Sequence, residues 1–138
     1  LLSLDDRHPE SSLLPPRATP EREHALRWLA FAATELYTNV EILDYPERFT
    51  PTPENADTTR AVAVKIWRNR LLRMEAQLAA GPYLLGERFC LTDVYWAVVS
   101  RWGHQQDWRA THTPKLEALF AAVAARPAIA NAWGDRWD

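Results

Sequence analysis

Cysteine and glycine are scarce in this sequence. The single cysteine, Cys90, permits neither an internal disulfide nor a thiolate metal cluster, so oxidised secreted scaffolds and zinc modules drop out. Four glycines in 138 residues tilt the expectation toward helical structure. Neither sign of charge dominates: sixteen basic residues face eighteen acidic ones, for a net −2. That balance offers no electrostatic footprint for nucleic acid. Long apolar runs are missing as well. The run Val94–Val99 stops at Ser100 and Arg101, far short of the roughly 20 residues a membrane-spanning helix needs. No strand-like alternation and no internal repeat is visible.

What remains is ordinary globular material, 47% hydrophobic and 25% charged, at the length of one domain. Twenty-one alanines and ten prolines favour helices joined by short connections. The chain opens on Leu1-Leu2, without an initiator methionine or a basic leader region, and reads as a piece of a longer chain.

Residues 1–8 (LLSLDDRH) read as the tail of a helix stopped by Pro9, and the proline-rich stretch that follows reads as a linker. Thr19-Pro20-Glu21 is a helix start: a capping hydroxyl, proline in the first turn and an early acid. Leu26, Leu29, Ala33, Leu36, Val40 and Leu43 then recur every three or four residues, which predicts a helix of about 25 residues. Trp28, Phe31 and Ile42 form a second stripe beside the first, so this helix should pack on two sides. Prolines break the pattern over 45–55. A second long helix over 57–80 carries the stripe Val64, Trp67, Leu71, Met74 and Leu78. Its arginines, Arg60, Arg68, Arg70 and Arg73, lie mostly off that stripe and read as a solvated face rather than an RNA-binding one. Leu91–Trp102 is apolar nearly all round and predicts a buried central helix. Thr113-Pro114 starts a short amphipathic helix, and Ala128–Trp133 adds a last helical turn or two. The expected architecture is an all-α bundle of about five main helices. His104 and His112, eight apart, have no ligand spacing, and no metal is expected.

The segment GPYLLGERFCLTDVYWAVVSRW (81–102) resembles the signature of the C-terminal domain of cytosolic glutathione transferases. In that pattern an apolar pair, a glycine, an aromatic and an aspartate open a buried helix, and Leu84, Leu85, Gly86, Phe89 and Asp93 fall in place. LRWLAFAATEL (26–36) is similar to the first helix of that domain in bacterial, beta-class-like members. RHPESSLLP (7–15) resembles the connection leaving their thioredoxin-like domain, and DYPERF (44–49) and SRW (100–102) resemble a bacterial subgroup. The resemblance implies residues 1–18 as the end of a thioredoxin-like domain with its linker, and 19–138 as the C-terminal helical domain. Physical chemistry gives the signature a reason: with the cap at Cys90, Asp93 can reach back to the cap's N–H as one half of a capping box. Cys90 stands where the family usually has Ser or Thr, and a thiol is a poor acceptor. The competing reading of Cys90 is a reactive thiol at a helix N-terminus.

By the same resemblance the catalytic thiol chemistry belongs to the thioredoxin-like domain, and no residue of this chain is expected to be catalytic. Thr34 and Glu35 match positions that reach the partner subunit's glutathione. A carboxylate beside an apolar stripe needs a cation or donors, although Glu35 at the stripe's edge in solvent is equally consistent. Tyr37, Thr38 and Trp102 match the electrophile pocket, with core packing the competing reading for Tyr37 and Trp102. The implied protein is a cytoplasmic homodimer that uses glutathione as substrate and binds a small hydrophobic electrophile. A non-catalytic interaction module on the same fold is the alternative.

Overall fold

The Thr19 signal works as local chemistry says it should. In a computed structural model, which describes residues 1–134, Thr19 Oγ1 accepts the N–H of Arg22 at 3.3 Å and Pro20 opens helix α2 (Pro20–Phe31). The chain stays helical to Asp44, but it is not one regular helix. Ala32–Leu36 is a π-helical stretch, after which α3 runs from Tyr37 to Asp44. The buried face differs accordingly from the expected stripe. Before the π stretch Ala25, Trp28 and Ala32 are buried, while Leu26 and Leu29 are only half-buried and Ala33 is exposed. Beyond it, Leu36, Val40 and Leu43 are buried as expected. A widened turn inserts a residue into the helical repeat and shifts which side chains face inward.

The second long helix, α4 (Ala56–Gln77), buries Ala63, Trp67, Leu71 and Met74 and packs along α3. Asn39 Nδ2 ties the two together by donating to Ala63 O at 2.9 Å. The central helix is α5 (Leu91–Val99), held between α2 on one side and α7 (Pro114–Ala124) on the other. Two of its side chains donate across to α2 carbonyls: Thr92 to Ala25 O at 3.1 Å and the Trp96 indole to Trp28 O at 3.0 Å. A buried helix packed on several sides must satisfy its polar side chains in this way.

Helix α5 ends three residues earlier than its apolar run suggests, so Trp102 lies in the turn beyond it. Gly103 shapes that turn. A Cβ there would lie 2.3 Å from the Trp67 indole, so any other residue would clash with the core. His104 and Gln105 then take left-handed backbone (φ 57° and 51°), a conformation costing roughly 1 kcal/mol or more per residue, and lead into α6 (Gln106–His112). This helix was not anticipated. Thr113 stands at the N-cap of α7, but its side chain does not cap the helix: the hydroxyl donates back to Arg109 O. The cap comes instead from Glu75 of α4, whose carboxylate accepts the N–H groups of Lys115 and Leu116, both at 3.0 Å. A short helix α8 (Pro127–Trp133) packs on α7. At the other end, α1 (Leu2–Arg7) is clamped to α2 by the Asp5–Arg22 ion pair at 2.9 Å, with side chains 10% and 12% exposed. The regular structure of the described residues is thus all helical, apart from two isolated bridges in the 83–88 turn.

Candidate functional site

The left-handed turn after α5 faces α3 across an open cleft of about 830 Å³. Its apolar wall is Tyr37 at the start of α3 and Trp102 in the turn, with ring centroids 5.5 Å apart in an edge-to-face arrangement. Val40 extends that wall. The rim is polar: Glu41 pairs with Arg48 at 3.5 Å, Arg48 also stacks on Tyr45, and Asp44 and His104 lie nearby. Deeper in the wall, Arg109 of α6 and Arg101 of the turn both face one carboxylate, Glu117 of α7. Arg109 Nε lies at 2.8 Å from it and Arg101 Nη1 at 3.5 Å. Burial pushes the Arg101 pKa down, and so does the charge of Arg109, while Glu117 pulls it back up.

Two of the three predicted pocket residues, Tyr37 and Trp102, therefore meet in this cleft. Thr38 does not line it; its hydroxyl donates back to Thr34 O in the π-helical stretch. Thr34 is likewise committed to Ala30 O at 2.9 Å, on an exposed surface. Glu35, at the partly exposed edge of its stripe, has a cation beside it. Arg70 of α4 donates through Nε to Glu35 Oε2 at 2.8 Å and through Nη2 at 2.5 Å, with the pair part-exposed.

The signature turn forms a second, structural cluster. Asp93 Oδ2 accepts the Cys90 N–H at 2.7 Å, while Oδ1 accepts the Leu84 N–H at 2.7 Å. The carboxylate thus fastens the 83–86 turn onto the start of α5. Two glycines make that turn possible: Gly86 has φ +74°, and a Cβ on Gly81 would lie 2.6 Å from the Gly86 carbonyl carbon. Burial raises the Asp93 pKa against the opposing pull of both N–H donors. Burial, reinforced by Asp93, pushes the Cys90 thiol up to about 12, so it is protonated at neutral pH and carries no thiolate chemistry.

Sequence reasoning missed Arg101, Arg109 and Glu117. An arginine beside a tryptophan at a helix end and an Arg–Glu pair eight apart show no periodic signal, and only the fold brings them together. Among the described residues, no group of three or more His, Cys, Asp or Glu side chains is placed to hold a metal. No described helix is long and apolar enough to cross a membrane.

No protein-family model matches the chain. A GST-like protein of Escherichia coli K12 is 27% identical over 124 residues, which is 90% of this chain and 58% of that protein. A glutathione S-transferase of Escherichia coli O157:H7 is 28% identical over 132 residues, 94% of this chain and 61% of that one. The chain therefore spans about three fifths of the length of the curated relatives it matches. Among solved structures, a glutathione transferase from Methylococcus capsulatus is 33% identical, with a TM-score of 0.75 over 96% of this chain and 62% of its own. A sphingomonad glutathione S-transferase solved with glutathione is 28% identical, with a TM-score of 0.66 over the same shares. In sequence and in fold, then, nearly the whole chain is similar to the C-terminal helical domain of bacterial glutathione S-transferases.

Proposed function

We propose that this chain is the electrophile-binding and dimerisation domain of a glutathione transferase that joins glutathione to small hydrophobic electrophiles. The carrying observation is the cleft: an aromatic wall of Tyr37 and Trp102, open to solvent and large enough for a small molecule. The sphingomonad neighbour was solved with glutathione, and glutathione is the thiol substrate of this reading. Its sulfur is activated in a thioredoxin-like domain, to which residues 1–18 belong as a last helix and linker, with the helical domain over 19–138. The exposed leucines of α1, Leu1, Leu2 and Leu4, are a surface such a domain covers.

In this reading α2–α3 and α4 form the contact with a second copy in a cytoplasmic homodimer. Val62 and Leu72 supply exposed apolar surface on α4. Glu35, held by Arg70, and Thr34 face the partner's glutathione. Tyr37 and Trp102 bear on the electrophile, while Thr38 stands outside the lining, next to Tyr37 in the chain. Calorimetry on the 138-residue chain tests the assignment with a neutral aromatic ligand, methyl 1-naphthoate. Binding that Trp102→Ala weakens about tenfold supports it. The same chain should conjugate glutathione to 1-chloro-2,4-dinitrobenzene no faster than buffer. A turnover like that of an intact transferase would refute the division of labour.

A further inference from the structure

The aromatic wall suits an apolar ligand, but two guanidinium groups stand beside it without an obvious need. Arg101 and Arg109 share the single carboxylate of Glu117, so the group of three carries one positive charge in excess. The excess is buried: the Arg109 side chain is 3% exposed and that of Arg101 16%. Among the described residues, Arg109 Nη1 has no hydrogen-bond partner. The Arg101 side chain makes no hydrogen bond among the described residues; its guanidinium holds only the 3.5 Å ion pair and a stack on Phe120 at 3.8 Å. A buried guanidinium with unused donors is costly unless an anion completes it.

The negative charges of the cleft do not serve. Glu41 is taken by Arg48 at the rim, and Asp44 is exposed there, where water screens it. Trp102 follows Arg101 directly in the chain, so the apolar wall and the charge adjoin.

We infer that the cleft takes an aromatic carboxylate, its ring against Tyr37 and Trp102 and its carboxylate on Arg101 and Arg109. The inference rests on reading the cleft as the electrophile site and narrows its substrate class from neutral hydrophobes to aromatic acids. Guanidinium suits a carboxylate because its paired N–H donors match the two oxygens.

The test is a calorimetric comparison of 1-naphthoate with methyl 1-naphthoate, which share a ring and differ in charge. The protein should bind the acid about tenfold or more tightly than the ester. Arg101→Gln should bring the acid down to the ester's affinity and leave the ester unchanged, whereas Arg101→Lys should keep part of the preference. Ester binding with no preference for the acid would overturn the anion site and leave the cleft reading standing. Failure of both ligands to bind would overturn both readings. Equal weakening of both ligands by Arg101→Gln would mark Arg101 as structural and also overturn the assignment. Should Arg101→Gln fail to fold by circular dichroism, the wild-type ratio and Arg101→Lys decide.

Discussion

Cys90 and Asp93 show how one residue's environment decides its chemistry. Asp93 satisfies two buried backbone donors, those of Leu84 and Cys90. Asp93→Ala strands both, so chemical denaturation should show a loss of about 2–4 kcal/mol. Cys90 is fully buried, with its pKa pushed up to about 12. A small alkylating reagent at pH 8 should leave the native protein unlabelled and label it once urea unfolds it. The sign of the alkaline effect follows from the same shift. The unfolded thiol ionises near its ordinary value of 9.0, and the folded one holds its proton to about 12. Stability should therefore fall as pH rises through that window, and Cys90→Ser should lack that part of the fall. Cys90→Ser also supplies a better cap acceptor, and a gain of about 0.5–1 kcal/mol near neutral pH is expected.

At the scale of elements, the helix starts divide into those set locally and those set from a distance. The start of α2 was legible because Thr19 and the N–H it caps are three residues apart. The start of α7 at Thr113-Pro114 was legible too, but not the side chain that caps it, because Glu75 lies 40 residues away on α4. Glu75→Ala should destabilise the protein by about 1–2 kcal/mol, while Thr113→Val should act through its bond to Arg109 O rather than through the α7 cap. Thermal melts of both variants, with hydrogen exchange of the Lys115 and Leu116 amides, separate the two roles. Faster exchange there in Thr113→Val alone would contradict the assignment. The π stretch and α6 escaped for a similar reason. Apolar spacings of three and four residues do not reveal one widened turn. Helix α6 begins at a left-handed Gln105 and is pinned by the distant Arg109–Glu117 pair. Tyr37 and Trp102 were legible as candidates through the family resemblance. Their meeting in one cleft, and the arginines beside it, depend on the turn at Gly103 that no local pattern announces.

For the whole molecule, the exposed large apolar side chains among the described residues, apart from Tyr37 in the cleft wall, fall in two places, the α1 end and the face formed by α4 with the α3–α4 connection. On the proposed reading these meet a thioredoxin-like domain and a second copy, respectively. Light scattering on the protein joined to its thioredoxin-like domain should give twice the monomer mass at micromolar concentration. Val62→Glu with Leu72→Glu should shift it toward monomer, and a monomer before substitution would count against the interface. The central claim is that this chain supplies the electrophile wall while another domain supplies the thiol chemistry. It is tested most directly by steady-state kinetics of that joined protein carrying Trp102→Ala. The account predicts a rise of about tenfold in KM for the electrophile with KM for glutathione nearly unchanged; equal rises in both constants, or none in either, would contradict it.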